Sequence, residues 1–163
     1  MVLQAFIFVL LTWLALGIRT GLWDVRYFLA VPVMLVHFVV FLSVSAFIAV
    51  WTRSAVACAL GTLVVWIACF ALNLARHDAV LAVNQTHANA VIETAYWIAP
   101  KPLDYNLILT DALRASDYFG AVINVNRLNE IGGFLPELSM ATGLLFAAGM
   151  LTLASRRLSR IDY

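Results

Sequence analysis

Charged side chains are scarce in this sequence: Asp, Glu, Lys and Arg make up 12% of its 163 residues, and apolar residues make up 64%. Soluble domains average about 25% charged and about 45 to 50% apolar residues, so a soluble fold is not expected. The net charge is +1, and the basic residues are scattered along the chain. The sequence therefore offers no basic face for a nucleic acid, whose phosphates a protein must neutralise.

Sequence signatures of catalysis are absent as well. There is no HExxH, no CxxC pair, no Gly-rich phosphate loop and no GxSxG, which are the patterns typical of metal, nucleotide and acyl-transfer sites. The two cysteines, Cys58 and Cys69, lie in one apolar run, where a thiol acts as a small apolar side chain. We therefore expect no catalytic residue, no cofactor and no metal.

Long apolar runs are what the chain has in abundance. A helix needs about 17 to 25 residues to cross a hydrocarbon layer of about 30 Å. Four runs meet this requirement without containing Asp, Glu, Lys or Arg, and they cover residues 1–17, 27–51, 55–75 and 138–155. The sequence thus predicts an all-α polytopic membrane protein, with about four transmembrane helices in a single transmembrane domain over residues 1–163.

The connection between the third and fourth runs, residues 76–137, is far longer than the others and holds seven of the nine acidic residues. Its pattern predicts a helix over residues 78–98 and a second over residues 105–119, with Asp104 as the N-cap of the second. The prolines of IAPKP break the pattern between them. We therefore expect two short amphipathic helices in a long extracytoplasmic loop.

The apolar sides of these two helices are predicted to lie against the outer ends of the spans and to cap them. The residues expected in this cap are Trp97, Ile98, Pro100, Pro102, Ile108 and Leu109.

The basic residues also predict an orientation, because short cytoplasmic loops are enriched in Lys and Arg. The tail, residues 156–163, and the turn between the second and third runs together supply four arginines: Arg53, Arg156, Arg157 and Arg160. Placing them in the cytoplasm leaves Arg19 and Arg26 outside. Both termini are then predicted to be cytoplasmic, and the four arginines to make the cytoplasmic contacts.

Small residues recur every four positions in two of the runs, as Ala57 with Gly61 and as Ser139, Gly143 and Ala147. Helices in lipid associate through close packing, which small side chains permit. These positions are therefore candidate contacts with other helices. Small residues are also common in membrane helices generally, and the sequence alone leaves both interpretations open.

The three histidines of the chain are candidate functional groups. His37 lies inside the second run, where an ionisable side chain is costly. Since no span contains an acidic partner, a neutral imidazole hydrogen-bonded to a neighbouring helix is favoured over a proton relay. His77 and His87, with Asp78 and Glu93, match no metal-ligand spacing, and a solvated surface is favoured for them.

Four segments, in this order, carry a family resemblance. They are RTGLWD at residues 19–24, SVSAFIAVWTRS at residues 43–54, YWIAPKPLD at residues 96–104 and SRRLSRIDY at residues 155–163. With the layout of spans and loops, they resemble the C-terminal part of an ABC-2-type transporter permease, particularly the bacterial permeases grouped with copper-enzyme maturation exporters.

The resemblance implies a permease subunit, or a C-terminal fragment of one, in an ATP-driven exporter of the bacterial plasma (inner) membrane. The implied partners are a separate ABC ATPase subunit and a second permease half, besides the lipid bilayer. Such permeases usually have six spans, so an N-terminal pair is expected to be missing. The chain would not itself be an enzyme.

Two other interpretations stay open. The chain could be a four-span membrane scaffold or assembly protein without transport activity, whose long loop binds a partner. A membrane-embedded enzyme would need polar residues at one depth, and the spans supply only His37, Asn73 and hydroxyl groups.

Overall fold

The computed structural model of the protein describes residues 2–21, 23–83, 89–112, 128, 130–131 and 133–160. All regular secondary structure within these residues is helical. Four of the helical segments are long and apolar enough to cross a membrane. The predicted fold class, an all-α polytopic membrane protein, is therefore confirmed.

Six α-helices and one short 3₁₀ helix have both ends within the described residues. The α-helices are α1 (Val2–Thr20), α2 (Ala30–Thr52), α3 (Ala55–Val83), α4 (Ala90–Ile98), α5 (Pro102–Ala112) and α6 (Pro136–Leu158), and the 3₁₀ helix, Val25–Leu29, leads into α2.

Local chemistry explains where the first two long helices end. Gly21 follows α1 at a φ of 73°, a left-handed conformation that glycine adopts without a steric penalty. Arg53 ends α2 at a φ of 53°, and its N–H donates to the carbonyl of Ala49. Ser54 then accepts a hydrogen bond from the N–H of Ala57 in the first turn of α3. The tight turn reverses the chain, so α2 and α3 run antiparallel.

The long helices pack around α2, which contacts α1, α3 and α6. Val40 and Phe41 of α2 form a buried apolar cluster with Ala147 of α6. The outer face of α3 is left exposed, for example at Leu60, with 58% of its surface accessible. An apolar outer face is what a helix surrounded by lipid requires.

The two ends of this bundle differ in character. At one end, which we call the basic end, the guanidinium of Arg157 lies 5.1 Å from the ring centroid of Trp51, and Arg53 follows two residues after Trp51 in the chain. The other end, which we call the hairpin end, contains the start of α2, the end of α3, the start of α6, and α4 and α5. The four arginines predicted to be cytoplasmic, Arg53, Arg156, Arg157 and Arg160, are all exposed.

The long connection is built differently from the prediction. A single helix over residues 78–98 is wrong, because α3 runs on to Val83 and α4 begins at Ala90, with Asn89 as its N-cap. Asp104 is not the N-cap of the second helix either. Proline is favoured in the first turn of a helix, and α5 accordingly begins at Pro102, so that Asp104 lies inside its first turn. The predicted break between the two helices is confirmed, and residues 113–119 lie outside the described residues.

Candidate functional site

Helices α4 and α5, which we call the α4–α5 hairpin, pack against α2, α3 and α6. The corner of the hairpin is held by Asn73 of α3, whose side-chain N–H groups donate to the carbonyls of Cys69 at 2.7 Å and Pro100 at 3.3 Å. Pro100 and Pro102 are both buried there. The hairpin is therefore an integral part of the bundle.

One carboxylate joins four helices beneath the hairpin. Asp104 of α5 is fully buried, and its Oδ2 accepts hydrogen bonds from the hydroxyls of Tyr96 in α4 and, at 2.5 Å, of Ser139 in α6. His77 of α3 lies with its Nε2 2.8 Å from Asp104 Oδ1. We call these four residues the Asp104 cluster. A buried carboxylate needs such partners, because an ion removed from water without them is very costly.

Two cations flank the ring of Tyr96. The guanidinium of Arg76 lies 4.4 Å from the ring centroid, pairs with Glu93 at 3.3 Å and donates to the carbonyl of Gly133 at 2.6 Å. The ammonium of Lys101 lies 5.0 Å from the same centroid and donates to Thr142 Oγ1 at 2.6 Å. The aromatic faces supply part of the stabilisation that these cations lose on leaving water.

Burial changes the titration of the hairpin residues. Removal from water, together with the negative charge of Asp104, raises the pKa of Tyr96 far above its ordinary value and that of Tyr105 to about 12. Burial lowers the pKa of Lys101 from 10.5 to about 8; the charge of Asp104 opposes this shift and that of Arg76 adds to it. Lys101 is the only lysine of the chain and is fully buried.

Stability should therefore rise with pH above 8. Between pH 8 and pH 10 the unfolded chain holds the proton of Lys101 more tightly than the folded chain, so deprotonation favours folding, by roughly 2 kcal/mol over this interval. Above pH 10 the raised pKa values of Tyr96 and Tyr105 act in the opposite direction. Thermal unfolding in detergent should show the rise in the wild type and not in Lys101→Met. An equal rise in both would contradict the assignment.

A large groove lies beside the hairpin, between α2 and α3. It has a volume of about 900 Å³ and is walled by α2, α3 and one side of α5. Aromatic side chains at its hairpin end include His37 and Tyr105, whose ring centroids are 5.4 Å apart at nearly right angles. The groove lining includes Phe38, Phe41, Trp66 and Leu109, and none of the lining residues that the structure describes is an Asp, Glu, Lys or Arg.

The predicted cap residues have mixed surroundings. Trp97 donates its Nε1–H to Glu93 at 2.8 Å, and Ile108 packs on a buried cluster of Val80, Leu128 and Phe134. Leu109 lines the groove. The expectation for Ile98 is wrong: it is the last residue of α4, and 67% of its surface is exposed.

The small residues of α6 are all buried, at Ser139, Gly143 and Ala147. They face α2 and α5: a Cβ built on Gly143 would lie 2.0 Å from the hydroxyl oxygen of Tyr105 and 3.6 Å from Val40 Cγ2. In α3, a Cβ on Gly61 would lie 3.0 Å from Ile48 of α2, and Ala57 is half-buried.

Sequence reasoning missed the most polar part of the site. The predicted solvated surface for His77 is wrong. His77 is only 3% exposed, because α3 extends past residue 75 and the hairpin folds over it. Asp78 is exposed as expected, and His87 lies outside the described residues. His37 makes ring contacts with Phe41 and Tyr105, and no hydrogen bond joins its side chain to another of the described residues, contrary to the prediction. The only sequence signal was the concentration of polar residues beside the prolines of IAPKPLD.

Nothing in the described ranges brings three His, Cys, Asp or Glu side chains together in a way that could hold a metal ion. Comparison of the chain with protein-family models, with curated proteins and with solved structures finds no match.

Proposed function

We propose that this chain is the permease component of a membrane exporter, which forms a substrate pathway with a second permease half and is driven by a separate ABC ATPase. The observation that carries the proposal is the groove of about 900 Å³ between α2 and α3, which α5 walls at the hairpin end. A groove along two spans, open on one side, can become a closed pathway when a second half covers it. The resemblance to ABC-2-type permeases supports the same role.

The hairpin gives such a groove a defined outer boundary. One side of α5 lines the groove through Pro102 and Tyr105, and the same helix carries Asp104 into the cluster with α3, α4 and α6. A buried carboxylate that is hydrogen-bonded on both oxygens holds its partners in place, because moving one partner away would leave a buried polar group unpaired at a cost in free energy. The hairpin therefore acts as a fixed wall of the pathway.

We further propose that the basic end faces the cytoplasm of a bacterial cell and that the hairpin end faces outward. The excess of arginine at the basic end supports this orientation through the positive-inside rule. It also leaves Arg53, Arg156 and Arg160 exposed where an ATPase would approach.

The orientation can be tested by cysteine labelling. In a background with Cys58→Ala and Cys69→Ala, single cysteines are introduced at Asn89 and Ser159, which are exposed at the hairpin end and the basic end, respectively. A membrane-impermeant maleimide should label the cysteine at position 89 in intact cells, and the one at position 159 only after lysis. The reverse pattern would invert the topology.

Co-purification tests the transport role. The tagged chain, isolated in mild detergent from its native membrane, should recover an ATPase with Walker motifs in near-stoichiometric amount. The double variant Arg156→Ala, Arg160→Ala should recover several-fold less of it.

The matched control is Arg19→Ala, Arg26→Ala, which removes two exposed arginines at the opposite end. Equal loss in both double variants would exclude a specific contact at the basic end. Recovery of another membrane protein without any ATPase would instead favour the scaffold interpretation.

A further inference from the structure

The hydrogen-bonding groups of the groove are unevenly distributed. Towards the basic end, Ser45 Oγ lies 2.9 Å from Cys58 Sγ, and Thr62 Oγ1 donates to the Cys58 carbonyl at 2.7 Å. Towards the hairpin end, the side chains of His37 and Asn106 line the groove, and within the described part of the chain neither makes a hydrogen bond. The polar groups left for a ligand are thus confined to one end.

An imidazole without a hydrogen-bond partner inside a membrane helix costs free energy, because hydrocarbon offers no such partner. Polar side chains at this position in spans therefore point to a functional partner. The rings of Phe41 and Tyr105 contact His37, but an aromatic ring does not replace a hydrogen-bond donor or acceptor for both ring nitrogens. Because His37 lines the groove, a hydrogen-bonding partner can reach its imidazole from there.

The rest of the groove defines the apolar part of that partner. It follows α2 from Val33 to Ser45, a length of about 18 Å at 1.5 Å per residue. It is open to the lipid side, since Leu63 and Trp66 line it and remain 52% and 37% exposed. Binding pockets for small ligands have this composition, a largely apolar wall with a few placed polar groups, and volumes of about 300 to 1,000 Å³.

The described residues that line the groove carry no formal charge, and this favours an uncharged head group. A phosphate or ammonium group at His37 would find no Asp, Glu, Lys or Arg among the described lining residues, and an unpaired ion in an apolar site is strongly disfavoured. A hydroxyl, ester or amide can hydrogen-bond to His37 and Asn106 without placing an unpaired charge in the groove.

We propose that this groove binds an uncharged amphiphile from the membrane, with its hydrogen-bonding group at His37 and Asn106 and its apolar chain along α2 and α3. The inference goes beyond the proposed transport function and does not depend on it, because binding is measured without an ATPase and without flux. The protein can bind the amphiphile as cargo or as a resident lipid, and the site is the same.

The test uses the full chain in phosphatidylcholine nanodiscs that contain a small fraction of diacylglycerol with a photoactivatable group in one acyl chain. Cross-linked residues are located by mass spectrometry. Labelling of the groove residues of α2 and α3 should saturate and should be displaced by plain diacylglycerol, and not by the anionic phosphatidylglycerol. His37→Phe and Asn106→Leu should each weaken apparent binding about five-fold, as expected for one hydrogen bond.

Leu42→Phe is the matched control, because Leu42 lies on the same helix as His37, is exposed and does not line the groove. Its labelling should equal that of the wild type. Thermal unfolding of each variant checks the fold, and Asn106, exposed on α5, provides a second variant if His37→Phe does not fold.

Three results would overturn the proposal. Labelling that does not saturate and does not depend on the lipid head group would mean that the groove contacts only bulk lipid. Displacement by phosphatidylglycerol would mean that a charged head group is accepted. Absence of lipid labelling, together with a disulfide between two copies of Leu63→Cys, would mean that a second copy of the chain fills the groove.

Discussion

Asp104→Ala is expected to destabilise the protein by about 3 to 5 kcal/mol, the range found when one partner of a buried charged network is removed. The substitution leaves the hydroxyls of Tyr96 and Ser139 and the Nε2 of His77 without their acceptor, in a site closed to water. It also removes the buried negative charge near Lys101 and Arg76. In a Cys58→Ala background, unfolding in detergent can be followed by a thiol-reactive dye, because the remaining thiol, that of Cys69, is buried in the folded protein and Cys58 is only half-buried.

The matched control is Asp78→Ala, since Asp78 is an exposed aspartate on the helix that carries His77. It should change stability by less than about 0.5 kcal/mol, as is usual for surface substitutions. Asp104→Asn separates charge from hydrogen bonding, because an amide keeps one acceptor and the hydroxyls of Tyr96 and Ser139 can reorient. If Asp104→Ala were no less stable than Asp78→Ala, the carboxylate would not hold the four helices together.

The spans were predictable because the requirement for crossing a membrane is local in sequence. Residues 55–75 contain no charge, and that alone predicts the apolar part of α3. The end of the helix was not predictable in the same way. In the sequence, Arg76 and His77 look like the start of a loop. They nevertheless continue α3, because Glu93 pairs with Arg76 and Asp104 accepts a hydrogen bond from His77 once the chain has folded back.

The Asp104 cluster illustrates the same limit. Asp104 and Ser139 are 35 residues apart, and residues of the connection between them lie outside the described part of the chain. No periodicity links two such positions, so a serine inside an apolar span looks like a small packing residue. The small-residue pattern of α6 did identify Ser139, but for its size, whereas in the structure its hydroxyl donates to a carboxylate.

Gly143 provides the sharpest test of how α6 supports the hairpin. A Cβ at this position would lie 2.0 Å from Tyr105 Oη, closer than any non-bonded contact allows, and Tyr105 is only 2% exposed. Gly143→Ala should therefore displace α5 from α6 and cost about 1 to 3 kcal/mol, as overpacking of a closed interface does. Gly149 lies on the same helix, and a Cβ there would meet nothing within 4 Å. Gly149→Ala should therefore be neutral or stabilising, by up to about 1 kcal/mol of helix propensity.

The contact also predicts a rescue. Tyr105 Oη is buried without a hydrogen-bond partner among the described residues, so Tyr105→Phe should cost little or even stabilise the protein. In the double variant Gly143→Ala, Tyr105→Phe the clashing oxygen is gone, and the next nearest atom, Tyr105 Cζ, lies 3.3 Å away. The free energies of unfolding of the wild type, the two single variants and the double variant form a double-mutant cycle. The expected coupling free energy is at least 1 kcal/mol and opposite in sign to the penalty of Gly143→Ala. Additive effects would show that the hydroxyl is not what requires glycine at this position.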